Sequence, residues 1–202
     1  MPTYDQAFWE ALWAKTLREH PDKVSQRPPN AHLLAEIDGT APGRALDAGC
    51  GHGAETFWLA AHGWQVTAVD FSASALAAGR SIAEPLGLAE RITWAEGDLA
   101  TWPIAPSAYD LVVCLYVHVA GSVDELVRRL AAGVAPGGTL LVVGHQPIDP
   151  ASGATTPAAG QTQVSLAAIG ALPPDFEIVV AEERRRPAGG VDAVIRARRG
   201  SR

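Results

Sequence analysis

The sequence predicts an α/β fold: a doubly wound sheet, mostly parallel, that finishes in a C-terminal antiparallel hairpin with helices on both faces. Three observations predict it. From Gly43 onward short apolar strands alternate with helical segments, and a crossover between parallel strands is right-handed and about a helix long. A glycine loop, Gly49 to Gly53, falls between the first strand and the helix after it. The last two strands are joined by only Arg184-Arg-Arg-Pro-Ala-Gly-Gly190, short enough for a hairpin.

At the start of the chain Phe8, Trp9, Leu12, Trp13 and Leu17 recur at helical spacing with polar residues between them, an amphipathic helix that His20-Pro-Asp breaks. Gln26-Arg-Pro-Pro-Asn30 is an extended link, and Ala31 to Ile37 a second helix ended by Gly39. Arg44 to Ala48 is a short buried strand, Ala54 to His62 a helix closed near Gly63, and Trp64 to Val69 the second strand. Ser72 caps a helix running to Ala83, and Arg91 to Glu96 is the third strand. Tyr109 to Leu115 is the fourth. Ser122-Val-Asp-Glu125 is a capping box that opens a helix through Ala132, and Pro136-Gly-Gly138 turns into a fifth strand, Thr139 to Gly144. Residues 146 to 162, rich in Pro, Gly, Ala, Ser and Thr, form a loop long enough to be a substrate lid. A helical patch at Val164 to Ile169 and strands at Phe176 to Glu182 and Val191 to Ala197 complete the chain. In open α/β sheets ligands bind beyond the carboxyl ends of the strands at the switch point, here the ends of the first and fourth.

Composition narrows the function classes. At 202 residues a single core buries about 70% of the surface of the unfolded chain, so folding needs neither disulfides nor a structural metal. Cys50 and Cys114 fit neither a CxxC redox pair nor a zinc knuckle. The net charge of −6 hides an asymmetry: residues 1–181 carry 9 basic and 19 acidic groups, residues 182–202 seven arginines and three acids. The acidic body repels a phosphate backbone, so nucleic acid is not the expected partner. The terminal arginines alternate with apolar residues in Val191-Asp-Ala-Val-Ile-Arg-Ala-Arg-Arg199, which reads as a strand with one wet face in a hairpin that forms a solvated sheet edge. The start of the chain lacks the basic and apolar regions of a secretory signal, and no apolar run reaches the ~18 residues of a membrane span. A reducing cytoplasm is the expected compartment.

The most informative segment is Leu46-Asp-Ala-Gly-Cys-Gly-His-Gly-Ala-Glu-Thr56. Taken alone it also satisfies the dinucleotide pattern G-x-G-x-x-G/A, and Asp70, 21 residues after Gly49 at the tip of the second strand, suits a ribose in nicotinamide enzymes too. Two carboxylates break the tie. Asp47 stands inside an otherwise apolar strand, where a pyrophosphate binder gains nothing from a negative charge and a cationic amino-acid ligand gains an ion pair. Asp98, in Glu96-Gly-Asp98, can accept from an adenine amino group. Both suit a ligand with an ammonium group, a ribose and an adenine but no phosphate. The competing role for these acids is loop capping or solvation, hardest to sustain for Asp47, since an unpaired buried charge is costly.

With these motifs the sequence resembles the class I S-adenosylmethionine-dependent methyltransferases. The matching elements are Leu46-Asp-Ala-Gly-Cys-Gly-His-Gly53, Val69-Asp-Phe-Ser72, Glu96-Gly-Asp-Leu99, Tyr109-Asp-Leu-Val-Val113 and Ala135-Pro-Gly-Gly-Thr-Leu140, in order over roughly residues 43 to 145. The resemblance implies a Rossmann-like, seven-stranded sheet with a C-terminal antiparallel hairpin. It implies S-adenosylmethionine as cofactor, S-adenosylhomocysteine as its product, and a set of contacts: Asp47 and the loop residues Gly49, Cys50, Gly51 and Gly53 at the methionine end, Asp70 on the ribose, Phe71 beside the adenine and Asp98 on its exocyclic nitrogen. Leu99 and Cys114 complete that set. His52, inside the loop, is expected at the cofactor rim. One domain over 1–202 results, with 1–40 an N-terminal helical cap, 43–145 the cofactor-binding core and 146–202 a lid loop and hairpin.

The block from Phe8 to Leu33 resembles, more loosely, the start of small bacterial stand-alone methyltransferases related to tellurite-resistance and thiopurine methyltransferases, in which the leading helix closes over the cofactor. That makes Tyr4, Phe8, Trp9 and Trp13 candidates to line an acceptor pocket, with Tyr116 a further one; for Trp13 ordinary core packing is the stronger expectation. Methyl transfer from a sulfonium is an in-line displacement in which a thiolate or amine attacks unaided, whereas an alcohol needs a positioned base. His118 and His145, just past the fourth and fifth strands, are the candidate bases. The expectation is therefore methylation of a small molecule on a hydroxyl oxygen with a histidine base, by a monomer or homodimer with no nucleic-acid or membrane partner. The alternatives are thiol or amine methylation of a detoxification type, or an NAD(P)-binding oxidoreductase. His145 with Asp149 could hold magnesium, although the other acidic ligands such a site needs are not recognisable.

Overall fold

The computed structural model describes residues 5–118, 121–146, 153, 163–186 and 190–201. Its chain divides into two units, residues 1–103 and 104–202.

Three helices lead the first unit: α1 (Gln6–Glu19), α2 (Pro21–Ser25) and α3 (Ala31–Ile37). Asp5 caps α1 by accepting from Phe8 N–H, and Asn30 caps α3 by accepting from His32 N–H. The expected break at His20-Pro-Asp is instead a restart. Pro21 occupies the first position of α2, where its missing N–H is no loss and its fixed φ favours the helix. The alternation then builds β1 (Arg44–Ala48), α4 (Ala54–Ala61), β2 (Gln65–Asp70), α5 (Ala73–Ala83) and β3 (Ile92–Glu96). The three strands pair in parallel with β2 in the middle. α4 packs on β1 and β2, and α5 on β2 and β3. Ala45, Leu46, Ala68 and Val69 are fully buried, as strands covered on both faces require.

The second unit comprises β4 (Tyr109–Leu115), α6 (Val123–Gly133), β5 (Val134–His145), β6 (Phe176–Arg185) and β7 (Val191–Arg199), with a 3₁₀ turn at Leu166–Ala171. Ser122 caps α6 by accepting from Glu125 N–H, as the capping box predicts. Pro136-Gly137-Gly138, expected as a turn before β5, lies within it. Tyr109 pairs with Val134 and Leu111 with Thr139, so β4 advances two residues while β5 advances five, and the extra residues form a bulge with Gly137 at φ 78°. The strand order in the seven-stranded sheet is β3-β2-β1-β4-β5-β7-β6: β1, β2 and β3 are parallel to one another, β4 is parallel to β5, and β7 is antiparallel to both β5 and β6.

The C-terminal antiparallel hairpin is as expected, but its second strand is not the wet one that the sequence suggests. β7 is an interior strand, and Val191 to Ile195 are buried because β5 flanks it on one side and β6 on the other. Of the two hairpin strands, β6 is the one at an edge of the sheet, and it carries the exposed Ile178 and Val179. No helix among the described residues is long and apolar enough to cross a membrane.

Gly144, near the end of β5, shows how tightly the segment after residue 162 closes over the sheet. A Cβ there would lie 2.1 Å from the Val164 carbonyl oxygen, a backbone atom that cannot swing aside. Gly144→Ala is therefore expected to cost about 1–3 kcal/mol by overpacking, read as a lower urea midpoint. An unchanged midpoint would show that the Val164 backbone yields.

Candidate functional site

Two groups of side chains carry chemistry, one in each unit. In the first, the loop after β1 turns back on the tip of β2, where Gly49 and Cys50 donate to the Val69 carbonyl at 2.8 and 3.0 Å. Gly51 adopts φ 53° and Gly53 φ 99°, the left-handed region that glycine enters without strain. Gly51 N–H donates to Asp70 Oδ2 at 2.9 Å, and Ser72 N–H to Asp70 Oδ1 at 2.9 Å. The Asp70 carboxylate is thus fixed between the two loops, and burial pushes its pKa up. Asp47 is buried on β1, and its Oδ2 accepts from the Thr56 hydroxyl at 2.5 Å. Burial, with help from the charge of Glu55, pushes its carboxyl up to about 8. An arriving cation would favour the ionised form there. Cys50 is buried with Sγ 3.5 Å from the Gly51 carbonyl, and burial holds its thiol well above its ordinary range.

Helix α1 is clasped onto both loops. Gln6 Nε2 donates to the Phe71 carbonyl at 3.0 Å, while the Glu10 carboxylate accepts from the hydroxyls of Ser72, at 2.6 Å, and Ser74. Those bonds hold the Glu10 carboxyl below its usual range. Ser72 simultaneously caps α5 by accepting from Ala75 N–H. One turn further along α1, the Trp13 ring lies on Gly51, 2.6 Å from where a Cβ would stand, and 5.3 Å from the His52 ring. His52 is buried, and burial together with the Arg27 charge lowers its pKa to about 4. Trp13 therefore packs on the loop itself. Trp9 is half-buried edge-on to Phe8, and Tyr4 lies outside the described residues.

Asp98 follows β3 and is exposed; its Oδ1 already accepts from Ala100 N–H at 2.8 Å, a local turn-forming bond of the kind aspartate favours. Leu99 and Cys114 are buried, the latter within β4.

The second group surrounds the ends of β4, β5 and β7. His145 closes β5 and stands directly opposite Asp192 on β7. Its Nδ1 is 2.9 Å from Asp192 Oδ1, and the Tyr116 hydroxyl donates to Asp192 Oδ2 at 2.8 Å. The Tyr116 and His145 rings stack at 4.1 Å and 21°. Arg186 Nε lies 3.3 Å from Asp192 Oδ1. His118 is half-buried; burial and the neighbouring His145 lower its pKa to about 4. Tyr116, expected in a pocket lining, thus has its hydroxyl engaged by a carboxylate.

Asp192 is the residue that sequence reasoning passed over. The signal was present: a lone acid in an apolar run, Val191-Asp-Ala-Val-Ile195, the same anomaly that singled out Asp47. Gln6 and Glu10 were hidden on the polar face of a helix. Asp149 lies outside the described residues, so its pairing with His145 for magnesium is not described.

The donor set of the first group fits a cationic, phosphate-free nucleoside. The segment Asp47 to Thr56 contains acids and no lysine or arginine, and Asp70 presents an oriented carboxylate. Comparison with known proteins agrees: residues 45–138 match the methyltransferase domain family. The chain is 38% identical over 126 residues to a ribosomal RNA small subunit methyltransferase C of Alcanivorax borkumensis, covering 58% of this chain and 38% of that one. It is 34% identical over 137 residues to a trans-aconitate 2-methyltransferase of Paracidovorax citrulli, covering 64% and 49%. The chain spans about half or less of the length of these curated relatives. Among solved structures, the N-methyltransferase NodS of Bradyrhizobium japonicum with S-adenosylhomocysteine superposes with a TM-score of 0.71 at 18% identity, over 94% of this chain and 97% of that one. Residues 45–138, just under half of the chain, thus resemble a methyltransferase domain, and the solved neighbours share its fold.

Proposed function

We propose that the protein transfers a methyl group from S-adenosylmethionine to a hydroxyl oxygen of a small molecule, with His145 as general base and His118 as the second candidate. The observation that carries the donor is the acid-lined glycine loop with its fixed Asp70, inside the span that matches the methyltransferase domain. Asp47, Gly49, Cys50, Gly51 and Gly53 would hold the methionine end, Asp70 the ribose, and Phe71, Asp98 and Leu99 the adenine; Cys114 completes the set. The cofactor, when bound, supplies a methyl group on a sulfonium sulfur.

What remains for the side chains is orientation and one proton. A hydroxyl is a poor nucleophile until its proton leaves, and a neutral imidazole is the side chain suited to take it near pH 7. Two histidines, one closing β5 and one just past β4, are what favours oxygen over sulfur or nitrogen. The name of the trans-aconitate relative supports a small acceptor. Residues 1–40 would act as the cap; the loop expected as a lid, residues 146–162, lies almost wholly outside the described residues.

Thermal unfolding tests the donor against the nicotinamide alternative. A ligand at 100 times its dissociation constant stabilises the folded state by about 2.7 kcal/mol, so S-adenosylhomocysteine is expected to raise Tm by several degrees and NADH to leave it unchanged. The opposite result would replace the methyltransferase by an oxidoreductase. Labelled methyl transfer to a panel of phenols, alcohols, thiols and amines then assigns the acceptor atom.

A second reading, an RNA acceptor, is favoured by the name of the ribosomal RNA relative. Against it stand the acidic body and the segment Cys114-Leu-Tyr-Val-His118, which carries none of the Asn-Pro-Pro-Tyr type of signature used on base amino groups. Filter binding to ribosomal RNA and tRNA at moderate salt distinguishes the two.

A further inference from the structure

We propose that Asp192 is the positioning residue of His145, so that the basic centre of the second unit is an aspartate–histidine pair braced by Tyr116 rather than two independent histidines. The assignment rests on the histidine-base reading and adds to it the residue that would set the ring's proton and angle.

The pairing is built into the sheet. His145 and Asp192 are direct cross-strand partners between β5 and β7, so their side chains leave the same face of the sheet. Asp192 is fully buried, and a carboxylate taken out of water persists in its charged form only when its neighbours donate to it or carry the opposite charge. Its neighbours do both. His145 Nδ1 faces Oδ1 at 2.9 Å, the Tyr116 hydroxyl donates to Oδ2 at 2.8 Å, and the Arg186 guanidinium forms an ion pair, its Nε 3.3 Å from Oδ1. An ionised carboxylate only accepts, so the hydrogen of a neutral His145 ring sits on Nδ1 and the lone pair on Nε2.

Tyr116 removes the remaining freedom. Its ring lies flat on the imidazole at 4.1 Å and 21°, and its hydroxyl grips the oxygen of Asp192 that His145 leaves open, closing a three-membered assembly. Its backbone takes φ 57°, uncommon for a residue with a Cβ and kept only where surrounding contacts over-determine it. The backbone of His145 is held in turn, its N–H donating to Gln163 Oε1 at 2.9 Å. Among the described residues, the charged and titratable groups against the imidazole are Asp192, Tyr116 and His118, with Arg186 paired to Asp192. Replacing Asp192 by asparagine puts a side-chain amide, which can donate as well as accept, opposite Nδ1, so the constraint that fixes the ring's hydrogen there is lost.

The test is ¹⁵N NMR of the histidine-labelled full chain from pH 5 to 9, with the His145 signals assigned by their absence from His145→Ala. The expected result is an Nδ1–H tautomer in the wild type and a mixture of tautomers in Asp192→Asn. Tyr116→Phe should keep the tautomer, since the carboxylate still holds Nδ1. An Nε2–H tautomer in the wild type overturns the assignment even if Asp192→Asn does not fold, and so does an unchanged tautomer in a folded Asp192→Asn. Because no acceptor is needed, this outcome is separate from that of the base reading, which fails instead if His145→Ala transfers methyl at the wild-type rate.

Discussion

His145→Ala is expected to slow methyl transfer to a hydroxyl acceptor about 10²–10⁴-fold, the range over which a positioned general base acts. S-adenosylhomocysteine binding should be unchanged, because every cofactor contact proposed in the first unit remains. The loss should depend on the acceptor: large for an alcohol, which keeps its proton near neutral pH, and small for a thiol, which ionises unaided. Single-turnover transfer to whichever acceptor the wild-type chain methylates measures it. His118→Ala, measured beside it, decides between the two histidines. Burial and the nearby His145 lower the His118 pKa to about 4, which makes it the weaker base at neutral pH. Full turnover in both alanine variants would remove the histidine from the chemistry altogether.

Asp70→Ala is expected to weaken S-adenosylhomocysteine binding by about two to four orders of magnitude. A hydrogen bond to a charged group is worth about 1.5–3 kcal/mol, and a carboxylate at a ribose accepts two. The same substitution also releases Gly51 N–H and Ser72 N–H, so the loop loses the acceptor that aligns it with the end of β2. Asp98→Ala offers the contrast. Its carboxylate is exposed, where water competes for the same hydrogen bond, so its loss should cost the affinity less.

The contrast between these acids also shows what was legible in the sequence. The strand–helix alternation, the glycine loop and the caps at Ser72 and Ser122 are local signals, each decided by a few neighbouring residues, and the structure places them where the spacing predicts. Elements whose outcome depends on distant partners were harder. Pro21 is compatible both with the end of one helix and with the first turn of another, and only the packing of the chain beyond it decides between them. Pro136-Gly137-Gly138 reads as a turn until β4 shows that the chain on either side of it is already paired. Alternating arginines in Val191 to Arg199 suggest a wet face, but the return of the hairpin places β7 between β5 and β6 with both of its edges paired, a placement that no local pattern reveals. Asp192 was missed for the same reason: judged within a presumed edge strand an acid needs no explanation, and judged inside the sheet it demands one.

The central claim, that this chain binds the S-adenosylmethionine scaffold through its acid-lined loop, is tested most directly by calorimetric titration of the purified protein with S-adenosylhomocysteine. Saturable one-site binding, micromolar or tighter and strongly weakened in a folded Asp70→Ala variant, is the predicted result; no detectable heat of binding, or an affinity indifferent to Asp70, would contradict it.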